Sequence, residues 1–138
     1  LFVESTGYGT GEGLCGWNCR HSFGPGDLRH NPYAQFDAEE NKRAFDLSQK
    51  QRGKESRIRR TKTKLVGLRT AIETAEDAGV KATLEAQYTR TAKLLEKQNL
   101  DYNQFCEDNG LKRLSDRIQI ARWTREDARK SIAAARSK

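Results

Sequence analysis

The sequence predicts a mainly α-helical protein built on a long antiparallel helical hairpin with coiled-coil-like packing, preceded by a glycine-rich segment of loops and short strands. Three observations support this fold class. Both prolines lie early, with Pro32 the last; a seven-residue apolar repeat follows; and glycines interrupt that repeat at Gly79 and Gly110. The chain is 35% hydrophobic and 33% charged, which is typical of solvated helices that bury apolar stripes rather than one thick core.

Composition divides the chain into three regions: residues 1–36, 37–110 and 111–138. The first is rich in glycine and aromatic residues, and Leu1 to Val3 look like a strand entered midway. The sequence contains no methionine. We therefore expect the chain to be the C-terminal part of a longer protein, with residues 1–36 ending a truncated α+β domain.

The first helix of the hairpin is predicted to begin after Asp37, a residue type that caps helix N-termini. A heptad repeat then follows along this helix. Its seam positions are partly polar at first, with Gln51 and Lys54, and mostly apolar from Ile58 onward. Gly79 is predicted to end this helix in the left-handed conformation. Its seam residues are Ile58, Leu65, Leu68 and Ile72.

The second helix is predicted to start near Lys81 or Ala82 and to stop at Asn109-Gly110. Apolar residues alternate along it at spacings of four and three, and the short link at Gly79 should fold it back on the first helix. Its main seam residues are Leu84, Tyr88, Leu95, Tyr102 and Phe105.

Residues 111–138 form the third region, a basic tail that is helical or partly disordered. Thr124 with Asp127 forms a weak capping box before a helix that lacks large apolar residues. This helix either docks on a partner or orders poorly alone.

The glycine-rich segment also contains four residues of types that bind zinc: Cys15, Cys19, His21 and His30. Their spacing matches no standard zinc class, so the competing interpretation has the thiols packed as small hydrophobes beside Trp17. A nucleophilic site at Cys19 and His21 lacks a third member, and we expect no enzymatic activity.

A dense run of positive charge occupies the middle of the first helix, and the chain as a whole carries a net charge of +7. Such density favours non-specific contact with phosphates through counterion release. The alternatives are a solvated helix surface or pairing with an acidic partner. The residues are Lys50, Arg52, Lys54, Arg57, Arg59, Arg60, Lys62 and Lys64.

Three stretches of the sequence resemble the C-terminal region of the phage minor capsid protein 2 family, within the head-morphogenesis and Mu protein F-like group. They are the G-L-C-G-W-N-C-R-H-S-F segment at 13–23, Q-K-Q-R-G-K-E-S-R-I-R-R-T-K at 49–62 and F-C-E-D-N-G-L at 105–111. The resemblance covers roughly residues 5–114. It departs from the family pattern after Phe23, where the loop is shorter.

The resemblance implies a structural protein of a tailed-phage virion, located at the capsid interior or portal vertex and in the host cytoplasm during assembly. It implies portal or capsid proteins and packaged DNA as partners, with a homo-oligomer as a further expectation. The alternative is a zinc-stapled, non-specific nucleic-acid-binding module. No apolar run approaches the ~20 residues that span a bilayer, so no membrane partner is expected.

Overall fold

The computed structural model describes residues 1–17 and 37–137. Its elements are α1 (Phe2–Thr6), α2 (Ala38–Thr74), α3 (Ala78–Asp108), a 3₁₀ turn (Ser115–Ile118) and α4 (Arg125–Arg136). The prediction of a mainly α protein is confirmed. The chain divides into two compact units, Leu1–Phe36 and Asp37–Lys138.

The first unit begins with a short helix instead of the expected strand. Leu1 caps α1 while Phe2 and Val3 lie within it, and Gly7 ends this helix with a φ of +62°, donating its N–H to the Val3 carbonyl at 2.8 Å. Turns follow as far as Trp17, and the described residues contain no strand. The prediction of short strands in this segment is therefore wrong where the structure describes it. Four glycines and a threonine close the local turns through their own backbones, which leaves no extended edge for pairing.

Helix α2 is 37 residues long, or about 55 Å at 1.5 Å per residue. The predicted cap at Asp37 is confirmed: its carboxylate accepts the backbone N–H of Glu39 at 2.7 Å and that of Glu40 at 3.4 Å. The helix ends at Thr74, five residues before the predicted stop.

The turn between α2 and α3 differs from the prediction at Gly79. This glycine lies in the first turn of α3, because Asp77 caps that helix by accepting the Val80 N–H at 2.8 Å. Asp77 lies two residues before Gly79 and caps the N-terminus of α3. Gly79 therefore falls inside α3 and does not end α2. At the other end, the predicted stop at Asn109-Gly110 is confirmed, with Gly110 at a φ of +61°.

Helices α2 and α3 pack antiparallel. Lys54 on α2 pairs with Asp101 on α3 at 2.5 Å, and the Tyr102 hydroxyl donates to Glu55 at 2.9 Å. The core between the helices contains Ile58, Leu65, Ala92, Leu95, Tyr102 and Cys106.

The C-terminal segment packs on the chain's own hairpin and adds a third layer. The Thr124–Asp127 capping box is confirmed and starts α4, which lies against α3. Arg69 on α2 pairs with Asp127 of α4, and Ile118 and Ala135 join the core. Small residues on α4 are sufficient for this packing because they let the two helices approach closely.

Within the part of the chain that the structure describes, each helix is too short or too polar to cross a membrane.

Candidate functional site: a basic stripe on helix α2

The eight basic residues between positions 50 and 64 divide into two groups by their contacts. Three of them are committed to contacts within the chain. Lys54 pairs with Asp101, and its ammonium lies 5.1 Å from the centroid of the Phe105 ring. Arg59 donates to the carbonyl of Arg117, and is only partly exposed.

Lys62 is the most deeply buried of these three, with 7% of its surface exposed. It donates to the Ile118 carbonyl at 2.8 Å and lies 5.5 Å from the centroid of the Trp123 ring. Burial lowers the pKa of this ammonium, and the nearby charge of Arg113 lowers it further. Lys62 therefore binds the C-terminal segment to α2, and its ammonium group is not exposed at the surface.

The other five basic residues of the run are exposed. At 100° per residue, four of them fall within an arc of about 80° on one side of α2. Arg52 lies on a different side, seven residues before Arg59. We call the four residues Lys50, Arg57, Arg60 and Lys64 the basic stripe.

The basic stripe spans fifteen residues of helix, with about 21 Å along the axis from Lys50 to Lys64. It borders a shallow groove of about 220 Å³ between α2 and α3, lined in part by Arg57, Lys97 and Asp101. Because Lys54 already neutralises Asp101, the groove adds the charge of Lys97 to the stripe without an opposing free carboxylate among its lining residues.

Gly53 lies within the stripe, and Gly67 follows it by three residues. A Cβ atom added at either position would meet nothing within 4 Å, so the surface beside the basic side chains is open. A rod-shaped polyanion could approach the helix backbone there, and the stripe would meet it with four cations that have no carboxylate partner in the described residues.

The hairpin seam predicted from the heptads is placed as follows. Ile58, Leu65, Leu95 and Tyr102 are buried at 5% exposure or less, and Leu68 at 8%. The remaining four are half-buried: Ile72, Leu84, Tyr88 and Phe105.

Several buried polar residues were missed by the heptad argument. Glu55 is 2% exposed and Asp127 is 3% exposed, although carboxylates are seldom buried without partners. Glu55 accepts from Tyr102 of α3 and lies 4.0 Å from Arg117 of the 3₁₀ turn, whereas Asp127 pairs with Arg69 of α2 and accepts from Thr124. Small residues Ala92 and Cys106, each beside the seam on α3, are the signal in the sequence that another helix covers this side.

The zinc hypothesis receives no support. Cys19, His21 and His30 lie outside the described residues, and Cys15 is exposed with a φ of 62°. Among the residues with described positions, no three or more Cys, His, Asp or Glu side chains gather as metal ligands would.

Comparison with protein families gives one finding. The model of a family described as phage minor capsid protein 2 matches residues 1–99. This range includes α1, the whole of α2 with its basic stripe, and two-thirds of α3. Comparisons with curated proteins and with solved structures gave no significant match.

Proposed function

Because this chain belongs to the phage minor capsid protein 2 family, whose role is structural and within the virion, we propose that it lies at the head interior or portal vertex and that its basic stripe contacts packaged DNA. The proposal depends on one observation, which is that the basic residues between positions 50 and 64 divide into a buried or paired group and an exposed group. Four cations remain exposed along one 21 Å line, while their neighbours are used for packing.

Contact with DNA is favoured over a merely solvated surface by geometry. Charges that only maintain solubility are scattered and interspersed with acids, whereas the one acid between residues 50 and 64, Glu55, is buried and the exposed residues of that stretch include none. The contact would be independent of base sequence, because lysine and arginine on one straight helix face reach phosphates but form no groove-reading arrangement here.

Attachment to portal or capsid proteins is the second part of the proposal. In the first unit, Val3 is 55% exposed and Trp17 is 82% exposed. Large aromatic residues at the surface are typical of protein–protein contacts. A protein partner would cover them and hold the chain at the capsid shell or the portal.

The DNA contact is tested with random-sequence duplex DNA and fluorescence anisotropy, between 50 and 200 mM salt. Four phosphate contacts predict a slope of about −3.6 in log K against log salt, or roughly a hundredfold weaker binding across this range. Changing all four stripe residues to Gln should abolish most of the binding and flatten the slope.

The matched control changes four exposed basic residues away from the stripe to Gln, with the same loss of net charge: Lys81, Lys93, Lys112 and Arg129. This variant should keep most of the slope of log K against log salt. Equal loss in both variants would show that total charge rather than the stripe governs binding. Failure of the unaltered protein to bind at 50 mM salt would overturn the DNA contact and favour an acidic protein partner.

A further inference from the structure

A cavity of the helical unit lies beside the third layer, between α3, the 3₁₀ turn and α4. It is an open pocket of about 520 Å³. This volume is within the range of pockets that hold ligands or anchor side chains. The pocket lies away from the basic stripe, since none of the four stripe residues lines it.

The lining of this pocket combines apolar walls with positive charge. Leu95, Ile118 and Trp123 form part of its walls, and two exposed apolar residues, Leu100 at 64% and Ile132 at 49%, lie at its edge. Two exposed cations without an ion pair in the described residues, Arg113 and Arg125, line it. Of the other two lining cations, Lys62 is buried, and Arg136 lies 3.9 Å from Glu96, the one carboxylate of the lining. The chemistry fits an apolar side chain that is accompanied by carboxylates.

The same chain carries such a group in the first turns of α2. All residues from 37 to 46 are exposed, and the first buried residue of α2 is Gln51. Helix α2 thus extends beyond its packing against α3 by the nine residues from 38 to 46, or about 14 Å. We call these nine residues with their cap Asp37 the overhang.

The overhang has the composition that the pocket requires. Phe45 is 60% exposed on it. Its charged residues are four carboxylates against two cations: Asp37, Glu39, Glu40 and Asp46 against Lys42 and Arg43. An exposed phenylalanine on a helix of net negative charge complements a cationic pocket with apolar walls.

We propose that the overhang of one copy of this chain docks into the pocket of a second copy, with Phe45 as the apolar anchor and with Arg113 and Arg125 attracted by the net negative charge of the overhang. The two surfaces differ, so the contact is head-to-tail and each dimer retains one unused pocket and one unused overhang. Such contacts generate rings or open chains. The small contact area makes the association weak, concentration-dependent and sensitive to salt.

The test is sedimentation velocity of the full chain from 10 to 500 μM, at 50 and 500 mM salt. The average mass should rise with concentration at 50 mM salt and fall back at 500 mM. A pocket variant carries Arg113→Glu and Arg125→Glu. An overhang variant carries Glu40→Gln, Phe45→Ala and Asp46→Asn. Each variant alone should remain monomeric.

Mixing the two variants at equal concentration separates this proposal from misfolding. The intact overhang of the pocket variant meets the intact pocket of the overhang variant, so the mixture should form a dimer that grows no further. A wild-type chain that stays monomeric at 500 μM, variants that associate like the wild type, or a mixture that forms no dimer would each overturn the proposal.

The proposal stands apart from the DNA contact. Neither variant alters the basic stripe, so both should bind duplex DNA with the wild-type salt slope if the proposed function is correct. The stripe variant with four Gln substitutions should associate like the wild type.

Discussion

The hydroxyl of Tyr102 donates a 2.9 Å hydrogen bond to the carboxylate of Glu55, and both side chains are buried at 2% exposure or less. The same hydroxyl accepts the backbone N–H of Leu114 at 3.2 Å and the amide of Gln51 at 3.4 Å. One oxygen on α3 therefore joins α2 to the segment that leads into the third layer. Buried polar groups that share partners in this way depend on each other.

Replacing Tyr102 with Phe should lower the free energy of unfolding by about 1–3 kcal/mol, because Glu55 and the Leu114 N–H would lose a buried partner. Urea denaturation followed by circular dichroism measures the change. Tyr88→Phe is the matched control, since this half-buried tyrosine on the same helix forms no hydrogen bond through its hydroxyl within the described residues. A similar loss in both variants would mean that the network contributes nothing beyond packing.

The attachment of α4 should depend on pH through Asp127. Burial alone would raise the pKa of this carboxyl, but the hydrogen bonds from Thr124 and Arg69 outweigh burial, so its pKa is lowered. A lowered pKa in the folded state means that the stabilising contribution is present above the unfolded value of about 3.9 and is lost as pH falls through the folded pKa.

Asp127→Asn should therefore be less stable than the wild type at pH 7, and the difference should shrink as pH falls below about 4. Urea denaturation at a series of pH values measures it. The control is Glu107→Gln, because Glu107 is an exposed carboxylate on α3 without an ion pair in the described residues. The free energy of unfolding of this variant should depend on pH as that of the wild type does. A constant difference between Asp127→Asn and the wild type at every pH would contradict the role assigned to the ionised carboxylate.

The two glycines inside α2 should be replaceable with a gain in stability. Gly53 and Gly67 are exposed in the helix interior, and an added Cβ meets no atom within 4 Å at either position. Alanine at each should raise the free energy of unfolding by about 0.5–1 kcal/mol, because glycine loses more backbone freedom when a helix forms. Thermal denaturation measures the gain.

Gly110→Ala is the contrasting control, and it should destabilise. Its φ of +61° is a left-handed conformation that residues with a side chain seldom adopt. If Gly53→Ala and Gly67→Ala also destabilise, α2 must lie against another surface at these positions. In that case the basic stripe is not an open face.

Local features of the chain were largely predictable from the sequence. The start of α2 at Asp37, the end of α3 at Asn109-Gly110 and the capping box at Thr124 each depend on one side chain and the few backbone groups next to it. Such interactions are determined within a single turn, so they can be inferred without knowledge of the fold. The prediction of a strand at Leu1 to Val3 was wrong because three apolar residues do not distinguish a strand from a helix.

Which charged residues are buried and which are exposed could not be inferred in this way. Lys62 and Lys64 are two positions apart in one basic run, yet the first is buried under the third layer and the second is exposed. The sequence by itself determined where α2 begins, where α3 ends and which residues form the centre of the α2–α3 seam, because local caps and the periodicity of each helix encode them. Only the tertiary structure decided that Glu55 and Lys62 are buried against α3 and the 3₁₀ turn, that Asp127 is buried beside Arg69, and that the basic stripe is left exposed. Long polar side chains are stable either in water or beside a buried partner, and the packing of the C-terminal segment selects between the two.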